Sequence, residues 1–266
     1  MRSVAGLIYI STVLLLCSCN KVIELDLRDT EIKYVIEGVI TNEAGICTVK
    51  LSETKNFNED NHFRNVSGAI VKVKDNGIQT TLTEVQPGSY ETGLITGTPG
   101  HIYELSVFIN NQSFTATSTM PQPVAIDTLY VSRGPFGEFK FATIGYTDPG
   151  GINNGYRFVQ YVNGVKEPTI FWENDEFTDG QFVIMKLDAS ADEKDDPRNI
   201  KTGDKVTIEM QCLDELVYEF WNTLAFGGGD GNGNTAAPAN PITNIKGGAL
   251  GYFSAHTVSR KSVVAP

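Results

Sequence analysis

The stretch IYELSVFINNQSFTATST, residues 102–119, decides the fold class. It holds two runs, IYELSVFI (Ile102–Ile109) and SFTATST (Ser113–Thr119), separated by the turn residues Asn110-Asn111. The same rhythm extends toward the N-terminus through YVIEGVIT (Tyr34–Thr41), CTVKLS (Cys47–Ser52), AIVKVK (Ala69–Lys74), TTLTEV (Thr80–Val85) and SYETG (Ser89–Gly93). Asp75-Asn76-Gly77, Pro87-Gly88 and Pro99-Gly100 punctuate these runs. Seven short runs at this spacing predict an all-β sandwich over residues 33–122. Ile70, Val71 and Val73 mark an apolar face and Lys72 and Lys74 a wet one, as in an antiparallel sheet packed on one side. Asn56–Asn65 is a polar insertion, either an ordinary surface loop or a binding loop.

Met120-Pro121-Gln122-Pro123 forbids a strand or helix interior and marks a domain join. A second β-rich domain, 123–266, is expected from AIDTLYVS, FKFATIGYTD, YRFVQYVNG, QFVIMKLD and KVTIEMQ. One helix interrupts it at residues 213–225. There Leu213, Leu216, Val217, Phe220, Trp221 and Leu224 recur on one helical face. Asp214 and Glu215 suit its first turn and Gly227 its stop. That face is expected to pack on the second sheet. GGGDGNGN, from Gly227, is flexible by composition, and a short apolar strand closes the stretch Pro238–Ala255.

The N-terminus has a different composition. Arg2 precedes an apolar run, Val4–Leu16, of signal-peptide length and too short to span a bilayer. Leu16-Cys17-Ser18-Cys19 resembles the bacterial lipobox. In that reading residues 1–18 are a signal peptide and Cys19 is the lipidated first residue. Residues 19–32 then form a tether whose acids, Glu24, Asp26, Asp29 and Glu31, partly resemble a surface-export signal. Each buried acyl CH₂ adds about 0.8 kcal/mol of membrane affinity, so several chains on one residue anchor firmly.

The whole chain carries 32 acidic and 21 basic residues, a formal net charge of −11. Loss of Arg2 with the leader makes the mature chain one unit more acidic. Such a surface repels nucleic acid and anionic lipid headgroups. The mature body keeps Cys47 and Cys212, either two small buried thiols or one long-range disulfide.

The sequence holds no Gly-x-Ser-x-Gly elbow, His-Glu-x-x-His helix, P-loop or dinucleotide-binding glycine pattern. His62, His101 and His256 have no serine–carboxylate or metal-ligand partner nearby in sequence. Asp230-x-Asn232-x-Asn234 begins like an EF-hand loop, but Thr235 and Pro241 stand where glycine and glutamate belong. Looser calcium candidates are Asp175, Glu176 and Asp179, or Asp192, Glu193, Asp195 and Asp196. No cofactor is expected. Tyr156, Phe158, Tyr161, Phe171, Trp172 and Phe177 cluster, and Phe171-Trp172 beside a proline-containing turn is a candidate ligand platform. Asp127-Thr128-Leu129 resembles an O-glycosylation acceptor, which makes Thr128 a candidate site.

Four places together resemble the Bacteroidota lipoprotein family known as domain of unknown function 4249. They are Ile36-Glu37-Gly38; Gly68–Val73 with Pro87-Gly88-Ser89-Tyr90; Met120-Pro121 with Ile126-Asp127; and Ala239-Asn240-Pro241, Asn244-Ile245 and Gly248–Phe253. The resemblance implies an outer-membrane lipoprotein, on the periplasmic or the outer face, serving uptake beside a TonB-dependent receptor. It implies an immunoglobulin-like or carboxypeptidase-regulatory-like first domain and carries no catalytic motif. The expected function is thus a non-enzymatic accessory that captures a ligand. A surface adhesion or structural protein, or an enzyme on carbohydrate or peptide, are the alternatives.

Overall fold

The computed structural model describes residues 31–45, 47–55, 64–134, 139–151, 153–189, 199–227 and 240–266. The signal peptide, Cys19, nearly all of the tether, His62, the acids at 192–196 and the glycine-rich stretch 228–234 lie outside the described residues. Among the described residues no helix is long and apolar enough to cross a membrane.

The first half contains β1 (Tyr34–Thr41), β2 (Cys47–Glu53), β3 (Arg64–Asn65), β4 (Ile70–Asp75), β5 (Ile78–Thr81), β6 (Thr83–Gln86), β7 (Ser89–Thr92), β8 (Ile102–Ile109) and β9 (Gln112–Thr119). β8 alternates strictly. Tyr103, Leu105, Val107 and Ile109 point inward, and Ile102, Glu104, Ser106 and Phe108 outward. Each inward side chain of this kind contributes about 1.5–3 kcal/mol by leaving water. The β8–β9 hairpin closes through Asn110 and Asn111, both at positive φ (46° and 62°), as a two-residue turn requires. One sheet has the order β5-β4-β8-β9; β1, β2, β7 and β6 form the facing layer. The predicted run TTLTEV is split between the layers. β5 pairs with β4 and β6 with β7, while Leu82 fills the core between them. A strand that changes sheets is a usual way to close a sandwich corner.

The second half contains β10 (Thr128–Arg133), β11 (Lys140–Thr147), β12 (Gly155–Val162), β13 (Val165–Lys166), β14 (Phe171–Asn174), β15 (Phe182–Leu187), β16 (Lys205–Leu213), α1 (Glu215–Gly227) and β17 (Leu250–Val264). A three-stranded sheet, β10-β11-β15, faces β12, β16 and the far end of β17 across a second core.

β17 joins the halves. Its first part, Leu250–His256, runs parallel to β1, and Thr257–Val264 runs antiparallel to β16. One ten-stranded sheet therefore passes through both halves. The expected short strand ending at Ala255 is in fact 15 residues long. Buried on both faces between Phe253 and Val258, it lacks the period-2 pattern that marks a half-exposed strand. The motifs at opposite ends of the chain become register partners, Ile36 with Gly251 and Gly38 with Phe253. Gly251 has φ +97°, and a Cβ there would lie 2.1 Å from the Ile36 carbonyl oxygen. Asn244 holds the same seam, donating to the Phe253 carbonyl at 2.7 Å and accepting from its N–H at 2.9 Å. Phe253 fills the first core, and Tyr252 lies on the opposite face against Phe220 and Trp221.

The helix begins two residues later than predicted. Leu213 ends β16, buried in that role, and Asp214 is the N-cap, accepting from Val217 N–H at 3.0 Å. Its other oxygen accepts from Ser118 Oγ and Thr119 N–H, which ties the helix start to the end of β9. The apolar face packs over the sheet, with Val217 and Tyr218 beside Trp172 and Trp221.

Candidate functional site

Strand register brings two loops together at one end of the second half. β11 pairs with β15 so that Thr147 faces Phe182, and β12 pairs with β14 so that Gly155 faces Asn174. The loops that follow β11 and β14 must then emerge side by side. Asp148 N–H donates to the Gln181 carbonyl at 2.9 Å, and Asp175 N–H to the Asn154 carbonyl at 3.2 Å.

Three carboxylates knit these loops. Asp148, Asp175 and Asp179 each place a carboxylate oxygen within 4.8 Å of the other two. Backbone amides of the opposite loop hold one oxygen of each. Gly180 donates to Asp148 Oδ2 at 3.1 Å, Asn153 to Asp175 Oδ1 at 3.0 Å, and Gly151 to Asp179 Oδ1 at 2.7 Å. The Tyr156 hydroxyl donates to Asp148 Oδ1. Burial pushes that phenol well above its ordinary pKa, and its bond to the Asp148 carboxylate adds to the shift. Asp148 and Asp175 are 1 % and 4 % exposed. Two unit charges at 4.8 Å repel by about 3 kcal/mol at an effective dielectric of about 20. Among the described residues no Lys or Arg pairs with any of the three.

Beside the cluster, loops and helix enclose a cleft of about 330 Å³. Asp175, Glu176, Glu215 and Glu219 make it acidic, and Asn153 and Tyr218 add hydrogen-bonding groups. The Tyr218 phenol is pushed up to about 12, first by burial and then by Glu173, Glu219 and Glu176. Such a lining suits a cation or a hydroxyl-rich ligand and repels an anion.

Of the predicted calcium set, Asp175 and Asp179 meet, while Glu176 lines the cleft instead. Asp148, the third member, was not anticipated, because 27 residues separate it from Asp175 and only strand pairing brings them together. The one signal for it is Asp148-Pro149-Gly150-Gly151, turn chemistry closing a strand.

The Phe171-Trp172 platform is corrected. Phe171 lies in the second core, and Trp172, on the opposite face of β14, packs against Leu213, Val217 and Tyr218. Strand alternation prevents adjacent residues from forming one exposed face. The exposed aromatic is Phe177, at 82 %, in the loop that bears Asp175 and Asp179. Tyr156 and Phe158 are core, as alternation predicts for one face.

Elsewhere, Thr128 is exposed on β10, an edge strand of the three-stranded sheet. His101 Nδ1 lies 2.7 Å from Asp75 Oδ1, a partner supplied by the fold. His256 is buried with Nδ1 2.9 Å from Ser254 Oγ, and desolvation lowers its pKa to about 3. Cys47 and Cys212 are free thiols in different cores, and burial raises the Cys47 pKa to about 12. Arg157 stacks its guanidinium 3.6 Å from the Trp221 ring centroid and donates to Gln211 Oε1 at 3.0 Å, beneath α1.

A search of curated proteins finds no match. Among solved structures, a two-domain fibronectin type-III segment of chicken tenascin is similar at 13 % identity. The alignment covers 68 % of this chain and 91 % of that one, with a TM-score of 0.23. With so low a score, the fold is read from the sheets themselves, which are those of a mainly β chain with sandwich layers and one helix. A comparison with protein families matches residues 20–262, a span running from ahead of β1 into β17. With both ends of the seam inside that span, the chain belongs to the family described as Domain of unknown function (DUF4249).

Proposed function

We propose that this chain is a non-enzymatic outer-membrane lipoprotein that holds a ligand for a TonB-dependent transporter. The observation that carries the reading is Leu16-Cys17-Ser18-Cys19 after an apolar leader, with Cys19 as the acylated residue. The acidic cleft between the loops and α1 supplies a ligand site of ordinary size for a small molecule. Thr128 is an exposed glycan acceptor in the same reading, and an intact mass equal to that of the lipidated polypeptide alone would remove it.

The test is capture of tagged wild type and Cys19→Ala from gently solubilised outer membranes. A TonB-dependent barrel recovered with wild type and lost with Cys19→Ala is the expected result. A protein anchored in the membrane but free of any barrel overturns the transport reading in favour of adhesion.

A further inference from the structure

We propose that Asp148, Asp175 and Asp179 bind a calcium ion that locks the two loops beside the acidic cleft. Calcium–oxygen distances are about 2.3–2.6 Å, so oxygens on opposite sides of one ion lie about 4.6–5.2 Å apart. Three carboxylate oxygens mutually within 4.8 Å can therefore share a single ion.

A second observation points to a ligand. Asp175 is 4 % exposed, its Oδ1 is held by Asn153 N–H, and its Oδ2 has no hydrogen-bond partner among the described residues. Buried carboxylate oxygens without a partner are rare, because desolvation is then uncompensated. The carboxylate that bears this oxygen faces those of Asp148 and Asp179, so a cation shared by the three supplies the missing partner. The amides of Gly151, Asn153 and Gly180 and the Tyr156 hydroxyl orient the three carboxylates in the way outer-shell groups orient metal ligands.

The donor set selects the ion. It is all oxygen, without cysteine or histidine, which suits a hard cation rather than zinc or copper. Loop ligands of irregular geometry favour calcium over magnesium, which demands a near-ideal octahedron. The bound ion would cancel the repulsion among the carboxylates and fasten the loop that bears Asn153 to the loop that bears Asp175, two residues that line the cleft.

The test uses the full-length lipoprotein in detergent, stripped with EDTA and titrated with CaCl₂ or MgCl₂. Extracellular modules bind calcium with Kd of about 10⁻⁴–10⁻³ M. At tenfold excess over Kd, calcium is expected to raise Tm by about 3–5 °C. Terbium is expected to bind the same site and to emit on tyrosine excitation, because the Tyr156 hydroxyl contacts Asp148. Asp175→Asn keeps the acceptor for Asn153 but is expected to weaken calcium at least tenfold, with Tm in EDTA no lower than that of wild type. Asp179→Asn, on the exposed member, is expected to weaken calcium too, and it decides the matter if Asp175→Asn does not fold. No calcium-dependent rise in Tm at 10 mM, about ten times the weakest Kd in that range, overturns the assignment. So does an equal response to magnesium. An Asp175→Asn variant that melts lower by the same amount with and without calcium shows a structural carboxylate and equally overturns it.

Discussion

The two halves of the molecule bury different chemistry. Between β1 and β9 the core is hydrocarbon and tyrosine, and Ser118 is the one other buried polar side chain among the described residues there. Beyond Met120 the interior of the second half takes in Asp148, Gln160, Glu167, Asp175, Glu209, Gln211 and His256. All five buried side-chain atoms without a partner among the described residues, on Tyr146, Arg157, Gln160, Asp175 and Thr257, lie in the second half as well. Buried polar groups cost stability unless satisfied, so their concentration marks where the molecule gives up stability for something else. The first half behaves as a scaffold, and the second half carries the acidic cleft and its cluster.

The comparison breaks most severely at the seam the halves share. Gly251→Val places a Cβ against the Ile36 carbonyl and forces a β-branched residue to φ +97°. We expect a loss of about 3–5 kcal/mol in urea unfolding, with tryptophan fluorescence and circular dichroism reporting one shared transition. Two separate transitions, with the first half unaffected, would show that β17 does not couple the halves.

A smaller effect is expected where polar burial begins. Asp214→Ala removes the α1 cap and the shared acceptor of the Ser118 hydroxyl and Thr119 N–H, so a loss of about 2 kcal/mol is expected. Asp214→Asn, which keeps an acceptor for Val217, should recover part of it. Equal stability of both variants would assign the role to charge rather than to capping.

His256 adds a pH dependence to the second half. Its folded pKa is lowered to about 3 by burial and by the charges of Arg157 and Arg260. Below an unfolded pKa of about 6.5 the unfolded chain takes up a proton that the native chain excludes. Stability is therefore full above that pH and falls as pH drops toward 3, by about 1.4 kcal/mol per unit at the steepest. His256→Gln should flatten the slope between pH 6 and pH 4.5 by about one proton, whatever its effect at neutral pH. An unchanged slope would mean that the imidazole titrates alike in both states.

The smallest effect belongs to the wet face of the first half. Lys74 and Glu104 pair at 2.9 Å with both side chains about half-exposed. Lys74→Ala should change stability by less than about 0.5 kcal/mol, and a loss above 1 kcal/mol would contradict the scaffold picture.

The strand runs of the first half were legible because one buried face imposes period-2 alternation, as in β8. TTLTEV read as one strand because a change of sheet leaves no mark on alternation. The end of β17 was hidden by Arg260 and Lys261, which resemble loop residues until their partners are seen. Arg260 bonds Glu209 and Glu43, and Lys261 reaches the Ile126 carbonyl. Two of the three aspartates in the candidate cluster were visible as acids spaced along one loop, but Asp148 was not, since a pairwise contact across strands has no local signature.

The sequence by itself determined the class of fold, the helix and the family, because each depends on local period, composition or short motifs. Tertiary structure alone decided that Ile36 meets Gly251, that Phe171 is core while Phe177 is exposed, and that three aspartates share one corner. Those facts depend on strand register, which is chosen by packing between segments far apart in the chain.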